Sequence, residues 1–369
     1  MKVELIDLKQ RFKNEEKTIM KIVHKVLSKG NLILTKEVQN FEKSICKYTN
    51  TKYCLGLNSG TDALMMSLWS SGIKKGDEVI TSPISFVATA NAIVHVGAKP
   101  VFVDVGEDLN INPKLIENAI TKKTKAIIPV HWGGASPDMF EIIKIAKKYN
   151  VYVVEDACMG IGAKILNKNP GSFGKVNAFS MHPLKSLNVM GDGGMIGTND
   201  DKIAKWLREY RNHGMINRDN LSIWGVNVRM QPLQAVVANI QLDEVNKIVK
   251  KRIKNAKFLD SELSKIKFIS LPRRNKGYRE TFALYMANFE NRDSLKKYLI
   301  KNKIEVKIHY PKGLNNQPAF KKFNLKRNIK NFKVSDRQAK MLLTIPVHQF
   351  INKKQQDYVI DNLSKFYKV

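Results

Sequence analysis

Lys185 closes the run Ser180-Met181-His182-Pro183-Leu184-Lys185, and a Gly191-Asp192-Gly193-Gly194 turn follows it. Upstream, the apolar run Val151-Tyr152-Val153-Val154 ends in Glu155-Asp156-Ala157, which puts a carboxylate at the mouth of an expected strand. A carboxylate behind four apolar residues needs a cation or hydrogen bonds. A lysine in a polar, proline-bent loop can condense with an aldehyde, while the acid pairs with a protonated ring nitrogen. Those are the two groups that pyridoxal phosphate chemistry requires, in which amines exchange with carbonyls. An arbitrary lysine is simply an exposed amine. The setting of Lys185 between His182-Pro183 and the glycine turn points instead to a buried amine of lowered pKa, available in its free form.

Two other features gain weight from this company. Asn58-Ser59-Gly60-Thr61-Asp62-Ala63-Leu64 reads as a strand-to-helix turn. Gly60 lets a ligand approach the backbone there, and the free amides of a new helix suit a phosphate. Taken alone, the segment is only a turn with a helix cap. Phe86, in Ser85-Phe86-Val87-Ala88-Thr89, could stack on a ring, although a lone Phe at a helix start is more commonly core.

These residues need a scaffold, and the sequence supplies one. Short β-rich runs (53–57, 78–82, 100–104, 126–130, 151–154 and 177–180) alternate with helical stretches (62–71, 85–96 and 137–149). The alternation predicts an α/β fold, a mostly parallel sheet wrapped by helices on both faces. Ligand groups in such sheets gather at the carboxyl ends of strands. Asp156 and Ser180 fall at such ends, and Gly60-Thr61 lies in the loop beyond one. After residue 200 the texture turns helical, with a long helix expected from 231 to about 265. Short strands (282–287, 305–309) and helices (294–303, 336–343, 355–366) complete the chain. A large domain over 1–245 and a smaller C-terminal α+β domain over 246–369 follow from this reading.

The 369 residues suit a large domain plus a small one, and 43% hydrophobic with 26% charged residues describes an ordinary globular protein. No apolar run approaches a bilayer span, and the first residues lack a signal-peptide core. Three cysteines (Cys46, Cys54, Cys158) without metal spacing agree with a reduced, cytoplasmic setting. The formal charge of +30 raises the question of nucleic acid. The lysines are dispersed, however, and no recognition motif accompanies them, so a solvated basic surface is expected, with no nucleic-acid or membrane partner. Such a surface can still attract an anionic substrate.

Further motifs extend the pattern along the chain: Ile6-Asp7-Leu8, Gly30-Asn31-Leu32, Phe41-Glu42, Val130-His131-Trp132-Gly133, Gly225-Val226-Asn227-Val228-Arg229-Met230, His309-Tyr310-Pro311, Gln317-Pro318-Ala319-Phe320 and Ile345-Pro346-Val347-His348. Together with the lysine and aspartate segments, they resemble the DegT-type sugar aminotransferases, which have the aspartate aminotransferase fold (PLP fold type I). The resemblance implies that Lys185 carries pyridoxal 5'-phosphate and shuttles the proton. It implies that Asp156 holds the ring nitrogen, that Phe86 stacks on the ring, and that Gly60, Thr61 and Ser180 bind the phosphate. Asn227 would reach the phosphate from the other subunit of a homodimer, with Arg229, His309 and Tyr310 near the substrate. The implied reaction moves an amino group from L-glutamate to a keto sugar, most plausibly nucleotide-linked, in amino-sugar biosynthesis for surface polysaccharide. Related dehydratases replace the lysine by His, so the intact Lys185 favours transamination over dehydration. An oxidised eight-carbon sugar acid remains an alternative acceptor. The Gly191–Gly194 turn and Leu233-Gln234-Ala235 resemble enzymes acting at sugar C3 rather than C4. One departure stands out: the family's usual Gln, which serves the cofactor's phenolic oxygen, is Met159 here. A thioether is a poor acceptor and no donor.

Overall fold

A computed structural model describes residues 1–323 and 331–369. Seven strands build the central sheet: β1 (Tyr53–Leu57), β2 (Glu78–Thr81), β3 (Lys99–Phe102), β4 (Thr124–Ile128), β5 (Tyr152–Asp156), then, after the two-residue β6 (Lys164–Ile165), β7 (Val176–Ser180) and β8 (Gly194–Thr198). Their order is β1-β8-β7-β5-β4-β2-β3. The pairs from β7 to β3 are parallel, whereas β8 runs antiparallel to both neighbours. Strand β8 was not anticipated, because its Gly-Met-Ile-Gly-Thr sequence reads as a continuation of the glycine turn. Here Gly197 is required by packing: a Cβ would meet the Asn177 side chain at 2.6 Å.

Helices α1 (Leu8–Leu27), α2 (Lys36–Thr49), α3 (Gly60–Ser70), α4 (Val87–His95), α5 (Met139–Lys148), α6 (Asp201–Tyr210) and α7 (Pro232–Leu263) accompany the sheet. The sequence reading did not assign the first two, although α2 buries Val38, Phe41 and Ile45 at helical spacing. Separate apolar clusters form on the two sides of the strands. One gathers Leu64, Leu68, Ala92 and Ile93 from α3 and α4, the other Ile142, Ile145 and Ala146 from α5 with Ile80 and Ile127. Hydrophobic contact on both faces is why these strands carry unbroken apolar runs.

After an exposed hairpin, β9 (Met215–Asn217) and β10 (Asn220–Leu221), α7 runs for 32 residues. Its first half packs through Ala235, Ala238, Val245 and Val249 against α2 and the lysine loop. Its second half joins another core through Ala256, Leu259 and Leu263. That core belongs to a three-stranded sheet of β11 (Ile269–Ser270), β13 (Tyr285–Phe289) and β14 (Leu342–Ile345), with β12 (Tyr278–Arg279) paired to β6 instead. Helices α8 (Arg292–Lys301), α9 (Pro318–Lys321), α10 (Lys333–Met341) and α11 (Lys353–Tyr367) complete it. The N-terminal Val3 also enters this core.

Two expected strands are corrected. Residues 282–284 are not strand: Phe282 has φ 49°, and the segment docks on the Gly133-Gly134 backbone instead. Residues 305–309 make only one bridge, Lys307 with Thr344, before the chain turns away at His309-Tyr310-Pro311. Both departures release backbone to form a wall of the cavity described next.

Candidate active site

The strand ends converge on a cleft of about 250 Å³. At one end, β1 passes into α3 through Ser59, whose Oγ accepts the Asp62 amide at 3.1 Å and donates to Asp62 Oδ2 at 2.5 Å. This cap organises the turn, leaving the first amides of α3 unpaired within the helix. Gly60 sits at closest approach: a Cβ there would lie 2.8 Å from Ser180 Cβ and 3.2 Å from Cys158 Sγ. Gly194 is equally constrained, since its Cβ would fall 2.1 Å from the Ser59 carbonyl oxygen. The bare backbone of Gly60 and the residues Ser59, Thr61 and Ser180 therefore line one end of the cleft, with Gly194 packed behind the Ser59 carbonyl. Helix amides and hydroxyls in that arrangement suit a phosphate.

Asp156 occupies the end of β5, with Glu155 pointing to the other face. Glu155 is consumed structurally, accepting the amides of Gly171, Phe173 and Gly174 and contacting His131 Nε2 at 3.1 Å. Asp156 is 4% exposed. Its Oδ2 accepts from Thr89 Oγ1 at 2.7 Å, and Oδ1 from the Cys158 amide at 3.2 Å. Thr89 is in turn 2.7 Å from Ser85 Oγ. Among the described residues only neutral groups hydrogen-bond this buried acid, so the carboxylate keeps capacity for a cationic donor. A protonated pyridine nitrogen fits that donor set.

Lys185 enters from a turn closed by its own amide to the His182 carbonyl at 2.8 Å, and Asn188 Nδ2 holds the Pro183 carbonyl at 3.3 Å. Burial pushes the lysine below its ordinary range, with Cys158 and Asp156 opposing the shift. Cys158, next to Asp156, is pushed well up, chiefly by burial.

Aromatic groups and residues from the C-terminal part of the chain line the remainder. Phe86, 53% exposed, precedes α4, and its ring centroid is 6.4 Å from that of Tyr310. Tyr310 lies 5.7 Å from Trp132. Burial pushes the Tyr310 phenol up to about 12. His309 Nδ1 lies 2.7 Å from Thr344 Oγ1, and burial, with Lys307 and Lys185 adding to it, pushes the imidazole down to about 4. Met159 lines the cavity and packs with Trp132 and Leu284, while its carbonyl accepts from Thr281 Oγ1 at 3.3 Å.

Eight of the ten expected residues thus share one cavity: Gly60, Thr61, Phe86, Asp156, Ser180, Lys185, His309 and Tyr310. The other two do not line it within a single chain. Asn227 is exposed and bridges Asn212; Arg229 donates to Asn212 Oδ1 at 2.9 Å and pairs its backbone with Leu57. The sequence reading missed Thr89 as the partner of Asp156 and Ser85 as the partner of Thr89, although the i, i+4 spacing of Ser85 and Thr89 could have signalled a shared face. Cys158, Leu284 and Asp192 were also unforeseen as cavity residues.

Comparison with known proteins agrees with this geometry. The chain is 34% identical to the "Pleiotropic regulatory protein" of Geobacillus stearothermophilus, covering 100% of this chain and 99% of that one. It is 35% identical to the UDP-2-acetamido-2-deoxy-3-oxo-D-glucuronate aminotransferase of Pseudomonas aeruginosa, covering 95% and 96%. The fold superimposes on DesV of S. venezuelae, solved with a ketimine intermediate, with a TM-score of 0.95 at 30% identity, covering 100% and 99%. Residues 13–364 match the family of DegT/DnrJ/EryC1/StrS aminotransferases. The cofactor of these enzymes is pyridoxal phosphate, and the cavity just described has the phosphate wall and buried acid that it requires. The chain belongs to the DegT/DnrJ/EryC1/StrS aminotransferase family.

Proposed function

We propose that the enzyme transfers an amino group from L-glutamate to a nucleotide-linked keto sugar, at C3 of the ring, in amino-sugar biosynthesis in the cytoplasm. The observation that carries the reading is the pairing of Lys185 with the buried Asp156 in one cavity, next to a backbone-lined phosphate wall. The assignment to C3 is supported by the 3-oxo sugar named for the Pseudomonas relative.

Bound pyridoxal phosphate supplies an aldehyde and an electron-withdrawing ring. Gly60, Thr61 and Ser180 would hold its phosphate, Phe86 would pack on its ring, and the buried carboxylate of Asp156 would favour the protonated ring nitrogen. Lys185, favoured in its free-amine form by burial, takes the proton from the donor's Cα and returns it on the other side of the exchange. His309 and Tyr310, both held uncharged near neutrality, shape the acceptor side without presenting a competing cation.

Asn227 is assigned to the phosphate site of a second copy, so the working unit is a homodimer. Its exposure, on a segment that also carries Trp224 at 89% exposure and follows a hairpin exposing Ile216 and Leu221, supports a covered surface here. Incubation of the purified enzyme with glutamate and a panel of nucleotide-linked 3-keto and 4-keto sugars tests the reading, with the amine product detected by mass spectrometry. Amination of the 3-keto sugars is expected. Exclusive amination of a 4-keto sugar would overturn the assignment of carbon, and no amination of any sugar would overturn the substrate class.

A further inference from the structure

Two arginines are buried behind the lysine loop, and neither lines the cavity. Arg11 on α1 is 3% exposed and Arg252 on α7 is 2% exposed. They converge on Ser186, the residue after Lys185. Arg11 Nη2 donates to the Ser186 carbonyl at 3.3 Å, and Arg252 Nη1 to the Ser186 hydroxyl at 3.5 Å. Arg11 has a counter-charge in Glu15, 3.5 Å away, and a further acceptor in Gln241. Arg252 has none among the described residues. Its other contact is the neutral Gln349, from Nε to Oε1 at 3.2 Å, and its charged neighbour is the like-signed Arg11.

A guanidinium buried without an anion costs several kcal/mol, and an apolar side chain of similar volume would pack there more cheaply. The penalty is visible in Arg252, whose pKa burial and Arg11 push down to about 10. What this costly group does touch is informative. One hand holds the hydroxyl of Ser186, the residue after Lys185, whose carbonyl Arg11 holds. The other holds Gln349, which lies four residues beyond the end of β14, the strand whose Thr344 holds His309 in the opposite wall of the cavity. Arg252 therefore closes a ring of contacts from the lysine to the small-domain wall.

We propose that Arg252, assisted by Arg11, is a positioning residue that fixes Lys185 through Ser186 relative to the acceptor wall. The inference rests on Lys185 being the cofactor lysine. That premise is tested separately, by borohydride reduction of the native holoenzyme and peptide mapping: a label on another lysine would remove the premise, whatever the variants do.

With the label on Lys185, three variants are compared as holoenzymes: Arg252→Met, Arg252→Lys and Ser186→Ala. A misplacement on the order of 1 Å costs up to about 100-fold in rate. Arg252→Met is accordingly expected to lower kcat per bound cofactor by about 10- to 100-fold while leaving the KM for glutamate within about twofold. The pH at which the lysine-bound cofactor changes its visible absorbance should shift with it, which a merely structural role would not cause. Arg252→Lys should recover part of both effects. Ser186→Ala, which keeps both arginines, should show the same signature more weakly, and the double variant should fall short of the sum of the two. If Arg252→Met does not fold, Ser186→Ala alone carries the test. Native kcat per cofactor and an unmoved absorbance midpoint in the folded variants, with only thermal stability reduced, would overturn the proposal.

Discussion

Replacing Asp156 by Asn removes one charge from the cavity and changes little else. The carboxylate accepts two hydrogen bonds, from Thr89 Oγ1 and from the Cys158 amide. An amide can satisfy only one of them by acceptance. The Thr89 hydroxyl shares a short contact with Ser85 and can reverse to accept from the amide, leaving the Asn oxygen for the Cys158 amide. The native fold should therefore survive, at a cost of about 1 kcal/mol. The chemistry should not survive so well. An ion pair at about 3 Å in an effective dielectric near 20 is worth roughly 5 kcal/mol. If a neutral hydrogen bond to the ring nitrogen recovers somewhat less than half of this, about 3 kcal/mol is lost from the transition state, or roughly 100-fold in rate. The phosphate wall is untouched, so cofactor affinity should fall far less than turnover. The assay is a single-turnover half-reaction with glutamate, followed by the loss of visible absorbance at known cofactor occupancy. A rate within about threefold of native at full occupancy would refute the electrostatic role assigned to Asp156.

Gly60→Ala should weaken cofactor binding by at least about tenfold, because its methyl would collide with Ser180 at the phosphate wall; fluorescence titration of the cofactor-free protein measures this, and unchanged affinity would contradict the placement. The buried His309 titrates near 4 when folded against 6.5 as a free side chain, so the unfolded chain binds the extra proton between those values. Its stabilising contribution is present above pH 6.5 and is lost as the pH falls toward 4, for a total of about 3 kcal/mol; urea midpoints of the cofactor-free protein should drop across that window, and less steeply in His309→Gln. Mixing inactive Lys185→Ala with impaired Asn227→Ala under verified subunit exchange should restore one of the two sites in each heterodimer, at most half its normal activity. No recovery would show that Asn227 serves its own chain.

The parts of the site that were legible in the sequence are those whose chemistry is local. Asp156 could be placed because four apolar residues run straight into it, and strand β5 has to end there. Lys185 could be placed because proline and glycine bracket it. The hydrogen-bond partners of Asp156 could not be read this way. Thr89 meets Asp156 across 67 residues of sequence, and its only local sign is the spacing to Ser85. Strand β8 escaped because two of its five residues are glycines, selected by close approach of Ser59 and Asn177 and not by strand propensity. The misread segments at 282–284 and 305–309 have strand-like composition, yet tertiary contacts with Gly133-Gly134 and Thr344 take their backbone hydrogen bonds. Both lie where the C-terminal part of the chain meets the cavity. Local propensity gives way there because the walls must carry His309, Tyr310, Ala283 and Leu284 into the site.

The same physical cause acts on several side chains of this cavity in opposite directions. Burial lowers Lys185 and His309 and raises Tyr310 and Cys158, so each is driven toward its uncharged form. A lining of that kind leaves the placement of charge in the cleft to Asp156 and to the amides at the start of α3. On the proposed reading, an anionic phosphate would be met by the helix terminus and a cationic ring nitrogen by the carboxylate. A charged Lys185 would compete for Asp156, and burial works against that charge. The strong positive charge of the protein, +30 over the whole chain, therefore belongs mainly to its surface. It can draw an anionic substrate toward the cleft without changing the charge pattern within the cavity.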